Sequence, residues 1–236
     1  MESVLLKRFP QESTREYVYR FLKVNIMNLH FEPGSGLSEK EIALLLKVSR
    51  TPVREAFIQL SHEALLDILP QKGTYVSLID VENVEESKFL RETLEKAIIE
   101  IACKEFPNEK IFELQSVLTL QELCLQEKQY SKFYELDEAL HSTIFEGCRK
   151  ARIWFMIQQM HTHYNRVRRL NVTGGHKLES LLEQHKDIVR AIREKDVDLG
   201  RKTVDLHLNK VKFDVAELAD QYPHYFKQPI PTWELS

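Results

Sequence analysis

Residues 37–56 read Leu37-Ser38-Glu39-Lys40-Glu41-Ile42-Ala43-Leu44-Leu45-Leu46-Lys47-Val48-Ser49-Arg50-Thr51-Pro52-Val53-Arg54-Glu55-Ala56. Ser38 followed three residues later by Glu41 has the form of a capping box, in which the serine accepts from the backbone and the glutamate reaches back. The short helix it starts carries Ile42, Leu45 and Leu46 and ends near Val48. Ser49 then caps another helix, and Pro52 is tolerated in its first turn because the amides there have no intrahelical partner. Val53, Ala56, Phe57 and Leu60 give this helix an inward face at i, i+3, i+4 and i+7.

The flanks complete the pattern. Upstream, Ser13 and Thr14 can cap a helix running to about His30, with Val18, Phe21, Leu22, Ile26 and Leu29 as its apolar stripe, before Pro33-Gly34-Ser35-Gly36 turns the chain. Downstream, two short extended runs at 66–69 and 74–78 are joined by Pro70-Gln71-Lys72-Gly73 and read as a β-hairpin. Three helices and a hairpin in this order, with a tight connection at Val48-Ser49, describe a winged helix-turn-helix.

With its apolar face turned inward, the helix after Ser49 shows Arg50, Thr51, Arg54 and Ile58 on the other side. The N-terminal turns of such a helix are the part that meets base edges. Arg50 and Arg54 suit that work, because a planar guanidinium can pair with guanine O6 and N7 or clamp a phosphate. Thr51 and the free amides of the helix start can take a phosphate oxygen. Lys40 and the hairpin tip at Lys72 and Gly73 would flank the groove, with Gly73 allowing close backbone approach. The bland alternative is an ordinary solvated face. The ordered set of cap, helix, turn, helix and basic-tipped wing favours double-stranded DNA as partner.

Composition agrees with a helical intracellular protein. Of 236 residues, 43% are hydrophobic, which excludes wholesale disorder. The 7 glycines are roughly half the usual share, against all-β sandwiches and glycine-rich nucleotide folds. Cys103, Cys124 and Cys148 are too few and too scattered for a disulfide framework or a cysteine zinc module. The N-terminal stretch has no signal-like apolar core, and charge breaks every apolar run before the ~20 residues a membrane span needs. A soluble, cytoplasmic protein is expected. The net charge of -3 gives no global attraction to nucleic acid, so DNA binding rests on local geometry.

Beyond Asp80 the sequence is nearly continuous helical periodicity, interrupted at Phe106-Pro107-Asn108, near Gly147, at Thr173-Gly174-Gly175 and after Tyr222. Helices are expected at about 84–105, 108–127, 130–147, 150–171, 178–195 and 197–221. In the first of them Leu90, Leu94, Ala97, Ile98 and Ile101 share a face. An antiparallel bundle of six or seven helices can hold a small-molecule site in its interior. Polar residues on the apolar stripes are the informative ones. Asp137 and His141, four apart, lie on the face of Phe133, Leu136, Leu140 and Ile144. His185 falls within the stripe of Leu178, Leu181, Leu182, Ile188, Val189 and Ile192. His207 lies with Val204, Leu208, Val211 and Val215.

A single inward histidine is usually a satisfied core residue. Three histidines and a carboxylate on three helices fit a divalent cation better, since burying an uncompensated carboxylate is costly. Imidazoles plus one carboxylate suit Zn, Ni, Fe or Mn without choosing among them. Arg91 shares the stripe of Leu90, Leu94 and Ile98, and a buried guanidinium needs an anion. That anion is either the carboxylate of a ligand or Glu95 at i+4. Spacing does not say which of Arg166, Arg168 and Arg169 faces inward, and His161 and His163 are not read as metal ligands.

Leu37-Ser38-Glu39-Lys40-Glu41-Ile42-Ala43 and the string Val48-Ser49-Arg50-Thr51-Pro52-Val53-Arg54-Glu55-Ala56 resemble the N-terminal domain of the GntR family of bacterial transcription regulators. Ala64 stands where glycine is usual before the wing, and Lys72 where the wing tip often has arginine. The resemblance implies that Arg50 and Arg54 contact DNA, with Lys40 and Gly73 supporting. Residues 82–222 resemble the FCD effector domain of the FadR-type branch through Arg91-x-x-Leu94-Glu95, Asp137-x-x-Leu140-His141, His185-x-x-Ile188 and Asp198 to His207-Leu208. Leu140 replaces a common phenylalanine, Gln184 a usual glutamate, and Lys150 stands where an asparagine often follows. The resemblance implies Asp137, His141, His185 and His207 as metal ligands, with a carboxylate effector near the metal and Arg91.

The expectation is therefore a mainly α protein. Residues 1–80 form a winged helix-turn-helix domain, and residues 81–236 form an all-helical effector-binding and dimerisation domain. Its function would be that of a homodimeric transcription regulator, most simply a repressor, responding to a small organic acid. The rival reading is an all-helical metal-dependent hydrolase. Against it, no dedicated base or nucleophile stands beside the ligand set, and residues 38–78 would go unexplained.

Overall fold

Ser13 starts the first helix with a reciprocal cap: its hydroxyl accepts from the amide of Glu16 and its own amide donates to the Glu16 carboxylate. A computed structural model describes residues 3–171 and 175–228 of the chain. The protein is mainly helical with one small sheet, a winged helix-turn-helix plus an all-helical part. The N-terminal elements are α1 (Thr14–Met27), β1 (Gly36–Leu37), α2 (Glu39–Leu46), α3 (Arg50–His62), β2 (Leu66–Leu69) and β3 (Gly73–Val76). They are followed by α4 (Val81–Lys104), α5 (Asn108–Gln126), α6 (Tyr130–Gly147), α7 (Ala151–Met160), α8 (Thr162–Leu170), α9 (Gly175–Glu194) and α10 (Val197–Gln221).

Two compact units separate by their contacts. One comprises Met1–Val84, Met160–Leu170 and Val215–Ser236; the other comprises Glu85–Gln159 and Asn171–Asp214. In the first unit, Val18, Phe21 and Leu22 of α1 and Val53, Ala56, Phe57 and Leu60 of α3 share one core with Ile42, Ala43 and Leu46 of α2. Leu45, expected on the inner face of α2, is 42% exposed; Ala43 takes that place. The turn between α2 and α3 is closed by Lys47 in the left-handed region and by Val48, whose amide donates to Ala43. Ser38 accepts at 3.5 Å from the amide of Glu41, but the reciprocal half of the expected capping box is not made. Ser49 occupies the cap position of α3 without a side-chain bond, so Pro52 and the α2–α3 turn fix that helix start.

The sheet has three strands in the order β1-β3-β2, all antiparallel. The hairpin register pairs Leu66 with Val76 and Leu69 with Gly73. The β1 edge, pairing Gly36 with Tyr75, is too short to show in sequence periodicity. Gly73 has φ +122° at the wing tip, where a side chain is strained, so glycine is needed for the turn itself.

The first unit also contains α8 and the tail. The periodicity predicts one helix over 150–171, but the helix breaks at His161 and restarts as α8. The polar face of α8 explains the break. Arg166 is fully buried and donates to the Ser77 carbonyl (2.6 Å), the Ser77 hydroxyl (3.1 Å) and the Leu78 carbonyl (3.4 Å). Its other contact is His163 Nδ1 at 2.8 Å, which also accepts from the Asp80 amide. Burial and then the adjacent Arg166 cation push the His163 pKa down to about 3, so the ring stays neutral and can accept both bonds. Burial likewise pushes Arg166 down to about 9. Phe226 is buried and bridges Ile79 in parallel, with Lys227 paired to Asp80.

In the second unit, Ile98, Ile99 and Ala102 of α4 pack with Leu140, Ile144, Ile188, Ile192, Val204 and Leu208. The stripe read on α4 is rotated in the structure: Ala97 and Ile101 are exposed, and the inward face is Arg91, Glu95, Ile98 and Ala102. The expected place of Val211 on the α10 stripe, and most of the interruption at Thr173-Gly174-Gly175, lie outside the described residues. The three cysteines are free and buried. Among the described residues no helix is long and apolar enough to cross a membrane.

Ala64 sits at φ 55°, in the left-handed region, with its carbonyl accepting from the Ser77 hydroxyl. Relief of that backbone strain outweighs the extra freedom glycine gains in the unfolded chain, so Ala64→Gly is expected to raise stability by about 0.5–1 kcal/mol. Urea unfolding of the two proteins checks this, and an unchanged or lower midpoint counts against it.

Candidate functional site

Two groups of residues carry chemistry, one in each unit. In the first, the inward packing of Val53, Ala56, Phe57 and Leu60 leaves Arg50, Thr51, Arg54 and Ile58 exposed on α3. Lys40 on α2 and Lys72 and Gly73 at the wing tip are exposed as well. The six sequence-predicted residues are therefore all solvent-facing, and they project from the three elements that a winged helix-turn-helix uses on a duplex.

In the second unit, Asp137 and His141 lie one turn apart on α6, His185 comes from α9 and His207 from α10. All four are buried, and one ligand atom from each lies within 4.8 Å of every other. Asp137 Oδ1 is 3.1 Å from His185 Nε2, and His141 Nε2 is 3.1 Å from His207 Nε2. The four positions read from the sequence thus converge on one point.

The partners of the outer ring nitrogens decide what that point can hold. His141 Nδ1 is 2.9 Å from Glu95 Oε2, His185 Nδ1 is 2.9 Å from Gln121 Oε1, and His207 Nδ1 is 3.3 Å from Gln184 Oε1. Burial alone would raise the Glu95 pKa, but Arg91 and then His141 hold it below its ordinary value, so Glu95 is a carboxylate and can only accept. His141 therefore donates from Nδ1, and Nε2 is the ring atom it turns inward, toward His207. The amide oxygens of Gln121 and Gln184 are placed to accept in the same way from the other two rings. Burial, and then the neighbouring histidines, lower the His207 pKa well below its usual value, keeping that ring neutral. The facing Nε2 atoms of His141 and His207, 3.1 Å apart, can share a proton or ligate one cation together. Inward Nε2, a carboxylate beside them and an acceptor behind each ring make a donor set that fits a divalent metal.

Arg91 stands at the edge of this cluster. It is fully buried and its Nε bonds to Glu95, the i+4 partner weighed in the sequence. It also reaches the cluster: Nη2 is 4.0 Å from Asp137 Oδ2, and the guanidinium lies over the Trp154 ring, which stacks on His141. Glu95 thus bridges Arg91 and His141, a role the sequence reading missed by assigning it only to the arginine. Gln121 was missed entirely. Its signal was present, because a polar residue seven after Leu114 and three before Cys124 lies on a buried stripe. Arg166, His161 and His163 lie in the first unit, apart from this donor set.

Comparison with known proteins identifies both domains. Residues 14–76 match the model of the gntR family of bacterial regulatory proteins, and residues 88–210 match the FCD domain. An Escherichia coli protein named HTH-type transcriptional repressor RspR is 30% identical over 93% of this chain and 96% of its own length. The gluconate operon transcriptional repressor of Bacillus licheniformis is 24% identical, covering 84% of this chain and 83% of that relative. Among solved structures, Escherichia coli McbR/YncC superposes with a TM-score of 0.74 at 20% identity, over 90% of this chain and all of that one, which supports the fold. These families and relatives are transcription regulators, and none of them favours the hydrolase reading.

Gln121 offers a clean test of the ring-orienting shell. Its oxygen accepts from His185 and its amide nitrogen has no hydrogen-bond partner among the described residues, so Gln121→Leu removes little besides that one bond. Loss of such a partner is expected to weaken metal binding about 10- to 100-fold. Chelator competition on wild type and variant measures it. Metal loading should also fall on acidification, since the ligands bind only as neutral imidazoles.

Proposed function

The chain belongs to the GntR family of bacterial regulatory proteins, carries an FCD domain and is a DNA-binding transcription regulator, and we propose that it is a repressor whose operator affinity is set by a small organic acid bound at a metal centre. The observation that carries this reading is the inward-facing donor set of Asp137, His141, His185 and His207 with an acceptor behind each imidazole. When bound there, a divalent metal supplies a Lewis-acidic point for a carboxylate. Zn, Ni, Fe and Mn all suit the donors. Arg91, beside Asp137, would balance the effector's charge, and Glu95 would hold both Arg91 and His141 in place.

On the DNA side, Arg50 and Arg54 would read base edges in the major groove. Thr51, Lys40, Lys72 and Gly73 would take phosphates. One head touches few base pairs, so a homodimer on a pseudo-palindromic operator is the assembly that gives useful selectivity. Such a regulator would act in the cytoplasm. Repression is supported by the names of two relatives, and effector control by the metal-ready donor set. An effector shifts operator affinity only by its differential affinity for the DNA-binding and released states.

Two substitutions separate the sites. Arg54→Ala should cost specific operator binding about 1–3 kcal/mol with the fold intact. His185→Ala should lower metal occupancy and blunt the effector response more than basal DNA binding, because the head's contacts do not pass through the metal. Elemental analysis and operator titration with and without candidate organic acids measure both. Full metal retention by His185→Ala would sink the metal assignment, and undiminished operator affinity in Arg54→Ala would sink the reading of α3.

A further inference from the structure

Arg54 is not loose on the surface of α3. Its Nε lies 3.1 Å from Glu39 Oε1 and its Nη2 lies 3.1 Å from Glu39 Oε2, a two-pronged pair reaching from the first turn of α2. A guanidinium presents two forked edges. The side edge carries the Nε hydrogen and one Nη2 hydrogen; the end edge carries one hydrogen from each Nη. Glu39 takes both donors of the side edge and leaves the end edge open. That end edge is the fork that pairs with guanine O6 and N7.

We propose that Glu39 is a positioning residue that sets the base selectivity of Arg54, holding the guanidinium by its side edge so that its end edge meets one base pair. This rests on the assignment of Arg54 to DNA reading made above. The pair contributes little to stability, since the Arg54 side chain is 65% exposed and the Glu39 side chain 30%. Its effect lies in orientation. An arginine already held in one geometry loses less freedom when it forms a paired contact, and a misaligned base finds no second donor. The cost falls on general affinity, because a carboxylate close to the duplex repels phosphates whatever the sequence. Lys40, the next residue, offers a cation to the backbone on the same helical turn. Glu39 thus exchanges non-specific affinity for discrimination at a single step.

The test uses full-length wild type, Glu39→Gln, Arg54→Ala and the double variant, each challenged with a random-sequence duplex pool and read for base preference at every position. Glu39→Gln keeps the size of the side chain and one acceptor, and its melting curve reports that the head is folded. In wild type, one position shows a preference that Arg54→Ala loses. Glu39→Gln is expected to lower that same preference about five- to tenfold, with affinity for an unrelated duplex unchanged or higher. Added to Arg54→Ala, it should have no further effect at that position. If Glu39→Gln keeps the full preference while Arg54→Ala loses it, the positioning role is overturned and the DNA-reading role of Arg54 stands. If Glu39→Gln weakens all positions equally, the positioning role is also overturned. If Arg54→Ala keeps every preference, the reading of Arg54 fails and this inference fails with it.

Discussion

The Nδ1 hydrogen of His141 goes to the Glu95 carboxylate, and the chemistry of the bundle interior depends on that bond. It orients the ring, and the ring then presents Nε2 to His207 Nε2. Glu95 can do this only because Arg91 keeps it ionised in a buried setting. Arg91 in turn lies over Trp154, which stacks on His141 and holds the ring plane. Four side chains from α4, α6 and α7 therefore form a closed ring of dependence around one imidazole. Any cation that binds there stabilises the fold, by an amount that grows with the logarithm of its concentration over its dissociation constant.

The reading head shows a different ranking of forces. Val53, Ala56 and Leu60 are wholly excluded from solvent and Phe57 is 2% exposed. Burying a side chain of that size contributes about 1.5–3 kcal/mol, against about 0–1 for an exposed ion pair. The core therefore decides which way α3 faces, and ion pairing decides only how a side chain already on the outer face is aimed. A polar substitution at Phe57 would destabilise the head, whereas one at exposed Glu39 would cost it little.

Much of this was legible in the sequence, for identifiable reasons. The i, i+3, i+4, i+7 spacing of Val53, Ala56, Phe57 and Leu60 is a local property, and so is the placement of Asp137, His141, His185 and His207 on apolar stripes. The convergence of those stripes on one point is not local; the resemblance to the FCD domain anticipated it. Periodicity failed where a residue's partner lies far along the chain. It put Ala97 and Ile101 inside because they are apolar, although Arg91 and Glu95 hold the inner face of α4 through bonds to each other and to His141. It ran one helix through His161, because nothing within 150–171 reveals that Arg166 and His163 are bound to Ser77 and Asp80, more than eighty residues away. The acceptor roles of Glu95, Gln121 and Gln184 escaped notice because each is defined by a histidine on another helix.

The contacts of α8 bear on how such proteins diversify. Arg166 hydrogen-bonds Ser77 and Leu78, and the chain at Ile79 pairs with the segment around Phe226. The DNA-reading unit is thus assembled from three separate stretches of sequence. It is not a cassette. A crossover near residue 80 that grafted residues 1–80 onto another family member's effector domain would strand the Ser77 carbonyl and expose Ile79, unless the incoming domain carried an equivalent arginine and an equivalent tail. Recombination in this lineage therefore has to preserve three segments together, and exchange of whole genes is easier than exchange of heads.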